Sequence, residues 1–323
     1  MGMETIFISI ASYRDKLLAN TINEAYSKAK YKDNLVFGVF EQNFENDSIN
    51  LDDFEFKNQI KYSRVEPDPT KGVCWARTNV QKMFNDETYY FQIDAHMLFD
   101  ENWDEFFIDN LKELKKYHNK PIITAYPLNF NCFTFEKKSY KQDTVSIVAT
   151  DNDHGRDIKF KRLGYSPPWG NSYHPSQYKM VHGYHLGGCC IFSEGNFVRN
   201  IPYDDSIYFG GEEPMLTLRA WTHGYNIFHA GNIRVYHCWD KQYGGIVQRD
   251  LKYDSRESDS RDDRAKKYIN SMIRGEIQGQ FGIGRERTVE QYIEYSGLDF
   301  FNYIFNNKNE AIFSKPYFEQ LDF

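Results

Sequence analysis

The sequence predicts an α/β fold, an open sheet whose first strands alternate with helices, and three observations predict it. Residues 6–11, 35–40 and 60–65 are short β-branched and aromatic runs that read as strands, while residues 16–30 and 72–84 carry apolar side chains at helical spacing. A strand–helix–strand opening of this kind predicts a right-handed parallel crossover. The 323-residue chain is 41% hydrophobic, ample for a sizeable core. The third observation is Tyr89-Tyr90-Phe91-Gln92-Ile93-Asp94-Ala95-His96-Met97-Leu98-Phe99-Asp100, a fourth strand that delivers polar, ligand-type side chains where it ends. The two-residue period of a strand places Asp94 and His96 on one face. Ligands of open α/β sheets bind at the carboxyl ends of the strands, so this stretch sits at the ligand edge.

The remaining elements follow in order. Ser12-Tyr13-Arg14-Asp15 is a turn feeding the first helix, residues 41–58 form an acidic, Asn-rich surface loop, and residues 66–70 a loop broken by proline. In the helix over 72–84, Trp75, Val80 and Phe84 lie on overlapping faces. Residues 102–117 form a helix whose Trp103, Phe106, Phe107, Asn110 and Leu114 read as core packing, and residues 121–126 another strand. Residues 129–184 lack a long periodic element and read as binding loops or an insertion, with His154, His174 and His182 as surface or hydrogen-bonding residues.

Gly187-Gly188-Cys189-Cys190-Ile191-Phe192 is a Gly-led strand, after which Ser193 is expected to cap a short helix over 194–198. In Tyr208-Phe209-Gly210-Gly211-Glu212-Glu213-Pro214 the proline suits the first turn of a helix reaching about residue 223, with Gly224 as its stop. Gly210 and Gly211 then lie outside a helix N-terminus, where backbone can approach a ligand and Glu212 can point into it. A plain glycine turn with dipole-matched carboxylates fits equally well. Residues 225–230 and 233–236 are short strands, the second leading into His237-Cys238-Trp239. Residues 240–263 are charged and contain Gly244-Gly245, a mobile active-site loop on this reading, followed by helices over 256–272 and, capped by Thr288, to 295. The organisation expected is a main domain over 1–240, with 129–184 as a loop-rich acceptor-side insertion, and residues 241–323 as a mobile loop and helical extension packed on it.

A net charge of −7 argues against a surface built to neutralise many phosphates, so general nucleic-acid binding is not expected. No apolar run reaches the length of a membrane span. The chain passes from Met1-Gly2-Met3-Glu4-Thr5 into a strand without a basic region or cleavage site, and Ile6 does not suit a myristoylation signal at Gly2, which predicts a cytoplasmic protein. Cys74, Cys132, Cys189, Cys190 and Cys238 are odd in number and irregular in spacing, which predicts reduced thiols, Cys189 and Cys190 being small core residues.

Asp94 and His96 at one strand end and His237 at another supply one carboxylate and two imidazoles, a set that leaves positions open on a metal. Mn²⁺ with a nucleoside diphosphate, Zn²⁺ with water, and Fe²⁺ with oxygen all use such a set. The iron triad usually sits in an antiparallel double-stranded barrel, whereas alternating strands and helices favour the nucleotide.

The same residues carry a family resemblance. Phe7-Ile8-Ser9-Ile10-Ala11-Ser12-Tyr13-Arg14-Asp15, Gly72-Val73-Cys74-Trp75-Ala76-Arg77, Gln92-Ile93-Asp94-Ala95-His96-Met97, Phe209-Gly210-Gly211-Glu212-Glu213 and Gly282-Ile283-Gly284-Arg285-Glu286-Arg287-Thr288-Val289-Glu290-Gln291-Tyr292 resemble the cytosolic hydroxyproline-directed GlcNAc-transferases across nearly the whole chain. The Gly187-Gly188 and Gly211-Glu212 segments followed by His237 are similar, more distantly, to the mucin-type polypeptide GalNAc-transferases. Residues 129–184 do not follow the family pattern.

The resemblance implies a GT-A type, Rossmann-like mixed sheet flanked by helices, with a loop-rich acceptor region. It implies a metal-dependent retaining glycosyltransferase moving a sugar, GlcNAc first, from a UDP-sugar to a hydroxyl on a protein or glycan acceptor. Mn²⁺, or Mg²⁺, would be held by Asp94, His96 and His237. Ser9, Ala11 and Arg14 would line the uridine end, Arg77 would lie near the nucleotide, and Gly188, Gly211 and Glu212 would contact the donor sugar. Asp94 and Glu212 would be the carboxylates closest to the chemistry. Arg14 and Arg77 also admit a plainer reading, pairing with surface acids. Two other classes stand beside this one: a catalytically silent UDP-sugar or glycan-binding module on the same fold, and an iron-dependent hydroxylase.

Overall fold

The computed structural model describes residues 4–67, 71–138, 144–149, 158–159, 169–174, 179–208, 211–239, 255–302 and 304–321. Its strands are β1 (Ile6–Tyr13), β2 (Leu35–Gln42), β3 (Ile60–Val65), β4 (Tyr89–Asp94), β5 (Met97–Phe99), β6 (Pro121–Thr124), β7 (Leu128–Asn129), β8 (Thr144–Ala149), β9 (Ile158–Lys159), β10 (Trp169–His174), β11 (Met180–Gly183), β12 (Cys190–Glu194), β13 (Asn226–Ala230), β14 (Val235–His237), β15 (Leu298–Asp299) and β16 (Ile304–Phe305). The helices α1 (Leu18–Lys28), α2 (Val73–Gln81), α3 (Trp103–Lys115), α4 (Asn196–Asn200) and α5 (Glu212–Thr222) precede three more, Ser255–Ile273, Val289–Ser296 and Asn309–Phe313. The main sheet has eight strands in the order β11-β13-β6-β12-β4-β1-β2-β3. β1 runs parallel to β2 and β4, while β12 is antiparallel to both β4 and β6, so the sheet is mixed.

Alternation along the central strands divides the core into two layers. Ile6, Ile8 and Ile10 of β1 and Tyr89, Phe91 and Ile93 of β4 face one layer, covered by Leu18, Ile22 and Ala25 of α1 and Trp103, Phe107 and Leu111 of α3. Phe7 and Tyr90, one residue out of step, face the other layer with Cys74 and Val80 of α2 and Leu216, Leu218 and Trp221 of α5. Phe91 lies 5.2 Å from the Trp103 ring and 4.7 Å from Phe107, and burying such a side chain contributes about 1.5–3 kcal/mol. The C-terminal residues close the second layer. Thr288 forms a capping box with Gln291, and Tyr295 of the helix it starts stacks on Trp221 at 5.1 Å.

Several expectations are corrected. Asp94 and His96 do not share a continuous strand: β4 ends at Asp94, residues 95–96 bend, and β5 enters a separate three-stranded sheet with β14 and β7. The bend is clamped from α1, where the Thr21 hydroxyl donates to the Ala95 carbonyl at 2.8 Å and accepts from the Met97 amide at 2.9 Å. Ser193 is a strand residue whose hydroxyl donates to the Pro121 carbonyl at 3.1 Å, and the short helix begins at Asn196, so Ser193 caps nothing. Phe84 lies beyond the end of α2 and packs edge-on against Phe7 at 5.6 Å.

Where residues 129–184 are described they include β8 paired with β10, and β9 paired with β16. Such short strands find partners far away in sequence and leave no local periodicity to read. His182 does hydrogen-bond, its Nε2 meeting the Pro316 carbonyl at 3.2 Å. His154, the His174 side chain, Phe209, Gly210 and residues 240–254 of the mobile loop expected over 240–263 lie outside the described residues, while residues 255–263 belong to the helix Ser255–Ile273 rather than to a loop.

The expectation of five reduced thiols fails for one pair: Cys132 and Cys238 form a disulfide with Cα atoms 6.0 Å apart. The parallel pairing of β7 with β14 brings the ends of these strands side by side across 106 residues, a proximity that cysteine spacing cannot show. Cys74, Cys189 and Cys190 are free and buried. Among the described residues no helix is long and apolar enough to cross a membrane.

Two stability outcomes follow from this packing. Thr21→Val keeps the shape but leaves the Met97 amide unpaired, so urea unfolding should show a loss of about 1–3 kcal/mol, and a loss of a few tenths would contradict the clamp. His182 is fully buried, and burial pushes its pKa down from 6.5 to about 4. The unfolded chain therefore takes the proton first as pH drops. This contribution is intact above about pH 6.5 and is lost as pH falls toward about 4. Unfolding free energies measured between pH 7 and pH 5 should fall less steeply in His182→Gln than in the wild type, and equal slopes would contradict it.

Candidate active site

The carboxyl edge of the sheet gathers three ligand-type side chains. Asp94 ends β4 in register with Ala11 of β1, and His96 follows in the clamped bend. His237 ends β14, whose antiparallel pairing with β5 sets it opposite Met97, and the Cys238 amide donates to the His96 carbonyl at 3.0 Å. The ring nitrogens His96 Nε2 and His237 Nε2 are 3.0 Å apart, and His237 Nε2 is 3.1 Å from Asp94 Oδ2. His96 Nε2 and the same carboxylate oxygen are 4.0 Å apart. Neighbouring corners of an octahedron with bonds of about 2.1 Å are about 3.0 Å apart, so the two short edges fit a divalent cation and the third is longer. The side chains of Asp94 and His96 retain 27% and 20% exposure against 6% for His237, so the cluster opens on the Asp94–His96 side.

The surroundings fix the protonation pattern. His96 Nδ1 is 2.7 Å from Asp15 Oδ2, which places a proton on Nδ1 and a lone pair on Nε2. Burial alone would lower the His96 pKa, but the Asp15 hydrogen bond and charge outweigh it and raise the net value. Burial and the neighbouring His96 depress His237. Burial likewise pushes against ionisation of Asp94, yet its hydrogen bond to His237 and the Arg77 charge hold it well below the usual carboxylate range. An ionised carboxylate beside two imidazoles is a donor set for a cation.

Arg77, on α2, is buried rather than paired with surface acids, which corrects the plainer reading. Its Nη2 binds Asp94 Oδ1 at 2.8 Å, its Nη1 binds the Tyr203 hydroxyl at 2.7 Å, and Nη1 lies 3.9 Å from Glu212 Oε1. One guanidinium thus joins the strand-end carboxylate to the first residue of α5. Glu212 also accepts from Cys74 Sγ at 3.4 Å, and burial raises its pKa against the pull of Arg77. Its neighbour Glu213 accepts from the Gly188 amide at 2.7 Å and the Tyr126 hydroxyl at 2.6 Å. A side chain on Gly188 would bring a Cβ to 3.0 Å from both Arg77 Nη1 and Glu212 Oε1, so the glycine leaves these groups room. Gly211, at φ 78°, is the left-handed residue before α5.

The structure therefore brings together Asp94, His96, His237, Arg77, Glu212 and Gly188. Ala11 lies beside them. Ser9 is buried one pleat back, its hydroxyl without a partner among the described residues. Arg14 adopts φ 49° and holds its guanidinium 5.2 Å from the Phe44 ring.

Sequence reasoning assigned no role to several neighbours. Gln92 donates to the Gly188 carbonyl at 2.7 Å and the Tyr203 hydroxyl at 2.8 Å. Trp239 lies 3.9 Å from the His237 ring with 45% exposure, anchored by hydrogen bonds to Asn129 and Pro127. Asp15 and Glu213 stand inside the quoted motifs, so their position was visible although their contacts were not.

A mixed sheet flanked by helices is the architecture of the GT-A glycosyltransferases. The family model described as Glycosyltransferase (GlcNAc) matches residues 5–57 and 50–302, and the chain belongs to that family. A crystal structure of GalNAc-T7 with UDP, GalNAc and Mn²⁺ superposes with a TM-score of 0.58 at 13% identity, covering 91% of this chain and 56% of that one. A structure of S. aureus TarS 1-349 in complex with UDP-GlcNAc gives 0.50 at 12% identity, covering 83% and 66%. The chain thus spans about half to two thirds of the length of these structures. No curated protein sequence matches the chain.

Arg77→Met should cost about 3–5 kcal/mol in urea unfolding, because it leaves Asp94 and Glu212 without their shared cation. Arg77→Lys should recover only part, since one ammonium cannot span both contacts. Full recovery by lysine would contradict the bridging role.

Proposed function

We propose that the protein is a metal-dependent, retaining glycosyltransferase that moves GlcNAc from UDP-GlcNAc to a hydroxyl on a protein or glycan. The observation that carries the reading is the convergence of Asp94, His96 and His237 at the carboxyl edge of the sheet, their ligand atoms all within 4.8 Å of one another. The family supports the sugar, and the UDP-sugar and Mn²⁺ in the related structures support the donor and the metal. Residues 1–240 form the transferase unit in this proposal, 129–184 shape the acceptor side, and 241–323 complete the unit. The resemblance of its motifs to those of hydroxyproline-directed enzymes makes a hydroxylated protein the first acceptor to try.

In this reading Asp94, His96 and His237 hold Mn²⁺ or Mg²⁺, which would neutralise the leaving diphosphate. Ala11, Ser9 and Arg14 line the uridine end, and Arg77 fixes Asp94 toward the cation and Glu212 toward the sugar. Gly188 and Gly211 let backbone approach the donor sugar, and Glu212 hydrogen-bonds one of its hydroxyls. The bond from the sugar C1 to the diphosphate oxygen breaks as the acceptor oxygen bonds to the same face of C1. The acceptor proton passes to the departing phosphate, which removes the need for a protein nucleophile. Positioning and charge stabilisation supply most of the rate. A cytoplasmic setting, expected from the sequence, requires that the fold tolerate Cys132 and Cys238 as thiols.

The test is UDP release from a UDP-sugar panel with Mn²⁺. UDP-GlcNAc should be the preferred donor, and Asp94→Ala and His237→Ala should each abolish turnover while leaving the circular dichroism spectrum of the metal-free protein near wild type, with a lowered melting temperature for Asp94→Ala because Arg77 loses its direct partner. Unchanged turnover in both variants would overturn the metal assignment. Tight UDP-GlcNAc binding without UDP release would indicate the silent binding module instead.

A further inference from the structure

The two imidazoles of the cluster are held by different means. Asp15 lies in the turn between β1 and α1 and is 8% exposed. Its Oδ1 accepts the Leu17 amide at 2.8 Å while its Oδ2 meets His96 Nδ1 at 2.7 Å, so one carboxylate both turns the chain into α1 and grips the ring. From the same helix Thr21 clamps the backbone on both sides of His96. His237 has no such grip. Its Nδ1 is buried without a hydrogen-bond partner among the described residues, and the ring is packed against Trp239 at 3.9 Å and edge-on against His96 at 4.5 Å.

The consequence is an asymmetry of proton placement. A carboxylate can only accept, so His96 carries its proton on Nδ1 and turns the Nε2 lone pair toward Asp94 and His237. His237 Nε2 faces the Asp94 carboxylate at 3.1 Å and His96 Nε2 at 3.0 Å, and no carboxylate behind its Nδ1 fixes its tautomer among the described residues.

We propose that Asp15 is a positioning residue of the metal site, holding the His96 ring so that its Nε2 is poised for a divalent cation, whereas His237 has no such holder among the described residues. The proposal rests on the metal-site reading above. It goes further by assigning the capture step to a residue that lies outside the ligand triad. Asp15→Asn is the informative change. Its amide oxygen can still accept from Leu17, which preserves the turn, and its NH₂ then faces His96 Nδ1. That reversal drives the imidazole proton to Nε2 and blocks the lone pair.

The experiment uses the full chain and has two readouts. In the metal-free protein, ¹⁵N–¹H correlation spectra of the histidine rings should show His96 as the Nδ1–H tautomer in the wild type and the Nε2–H tautomer in Asp15→Asn. Titration with Mn²⁺ alone, followed by the electron paramagnetic resonance of the free ion, should show binding weakened about 10–100-fold in Asp15→Asn, with partial recovery in Asp15→Glu. An unchanged tautomer, or Mn²⁺ affinity equal to wild type, would overturn the role of Asp15 while leaving the metal site standing. Failure of the wild type itself to bind Mn²⁺ would overturn the metal reading, and the positioning proposal with it.

Discussion

Everything at the carboxyl edge depends on the pairing of β5 with β14. This three-residue antiparallel ladder sits outside the main sheet, yet it alone carries His237, 141 residues later in the chain, to His96. Its register leaves no slack, since a one-residue slip would turn His237 to the opposite face. The ladder is pinned from three sides: Thr21 fixes the bend leading into β5, β7 extends the small sheet beyond β14, and the Cys132–Cys238 disulfide ties the end of β14 to the loop after β7.

The charges are balanced as closely as the geometry. Asp94 and Glu212 come from elements on different parts of the sheet edge, and two carboxylates near each other would repel. Arg77 lies between them with 4% side-chain exposure, binding one directly and standing 3.9 Å from the other. Desolvation of such a group is costly, and the guanidinium is held by Tyr203 as well as by the acids. Tyr203 accepts in turn from Gln92, whose amide also holds the Gly188 carbonyl. This part of the sheet edge is therefore one hydrogen-bonded network running from α2 through β4 to the Gly187-Gly188 turn. This rigidity suits the proposed transfer, whose rate would come from positioning.

Much of this was legible in the sequence. The alternation of strands and helices at residues 6–115 gives the parallel half of the sheet, and Asp94, His96 and His237 were recognisable as ligand types at strand ends. What sequence could not supply was contact across distance. The two-residue period suggested a shared strand for Asp94 and His96, whereas the chain leaves the sheet between them and a hydroxyl on α1 holds the bend. Arg77 looks like any surface arginine until α2 is packed against the sheet. The disulfide joins cysteines 106 residues apart through the neighbouring strands β7 and β14, and Ser193 sits in a ladder rather than at a helix start. Each miss is a long-range pairing overriding a local signal.

The central claim is that Asp94, His96 and His237 form one cation site, and diffraction measures it most directly. Crystals grown without metal and soaked in Mn²⁺ alone, with data collected at the manganese absorption edge, should show a strong anomalous peak bounded by the Asp94 carboxylate and the Nε2 atoms of His96 and His237. Absence of a peak between these three side chains under saturating Mn²⁺, or a strong peak only elsewhere on the protein, would contradict it.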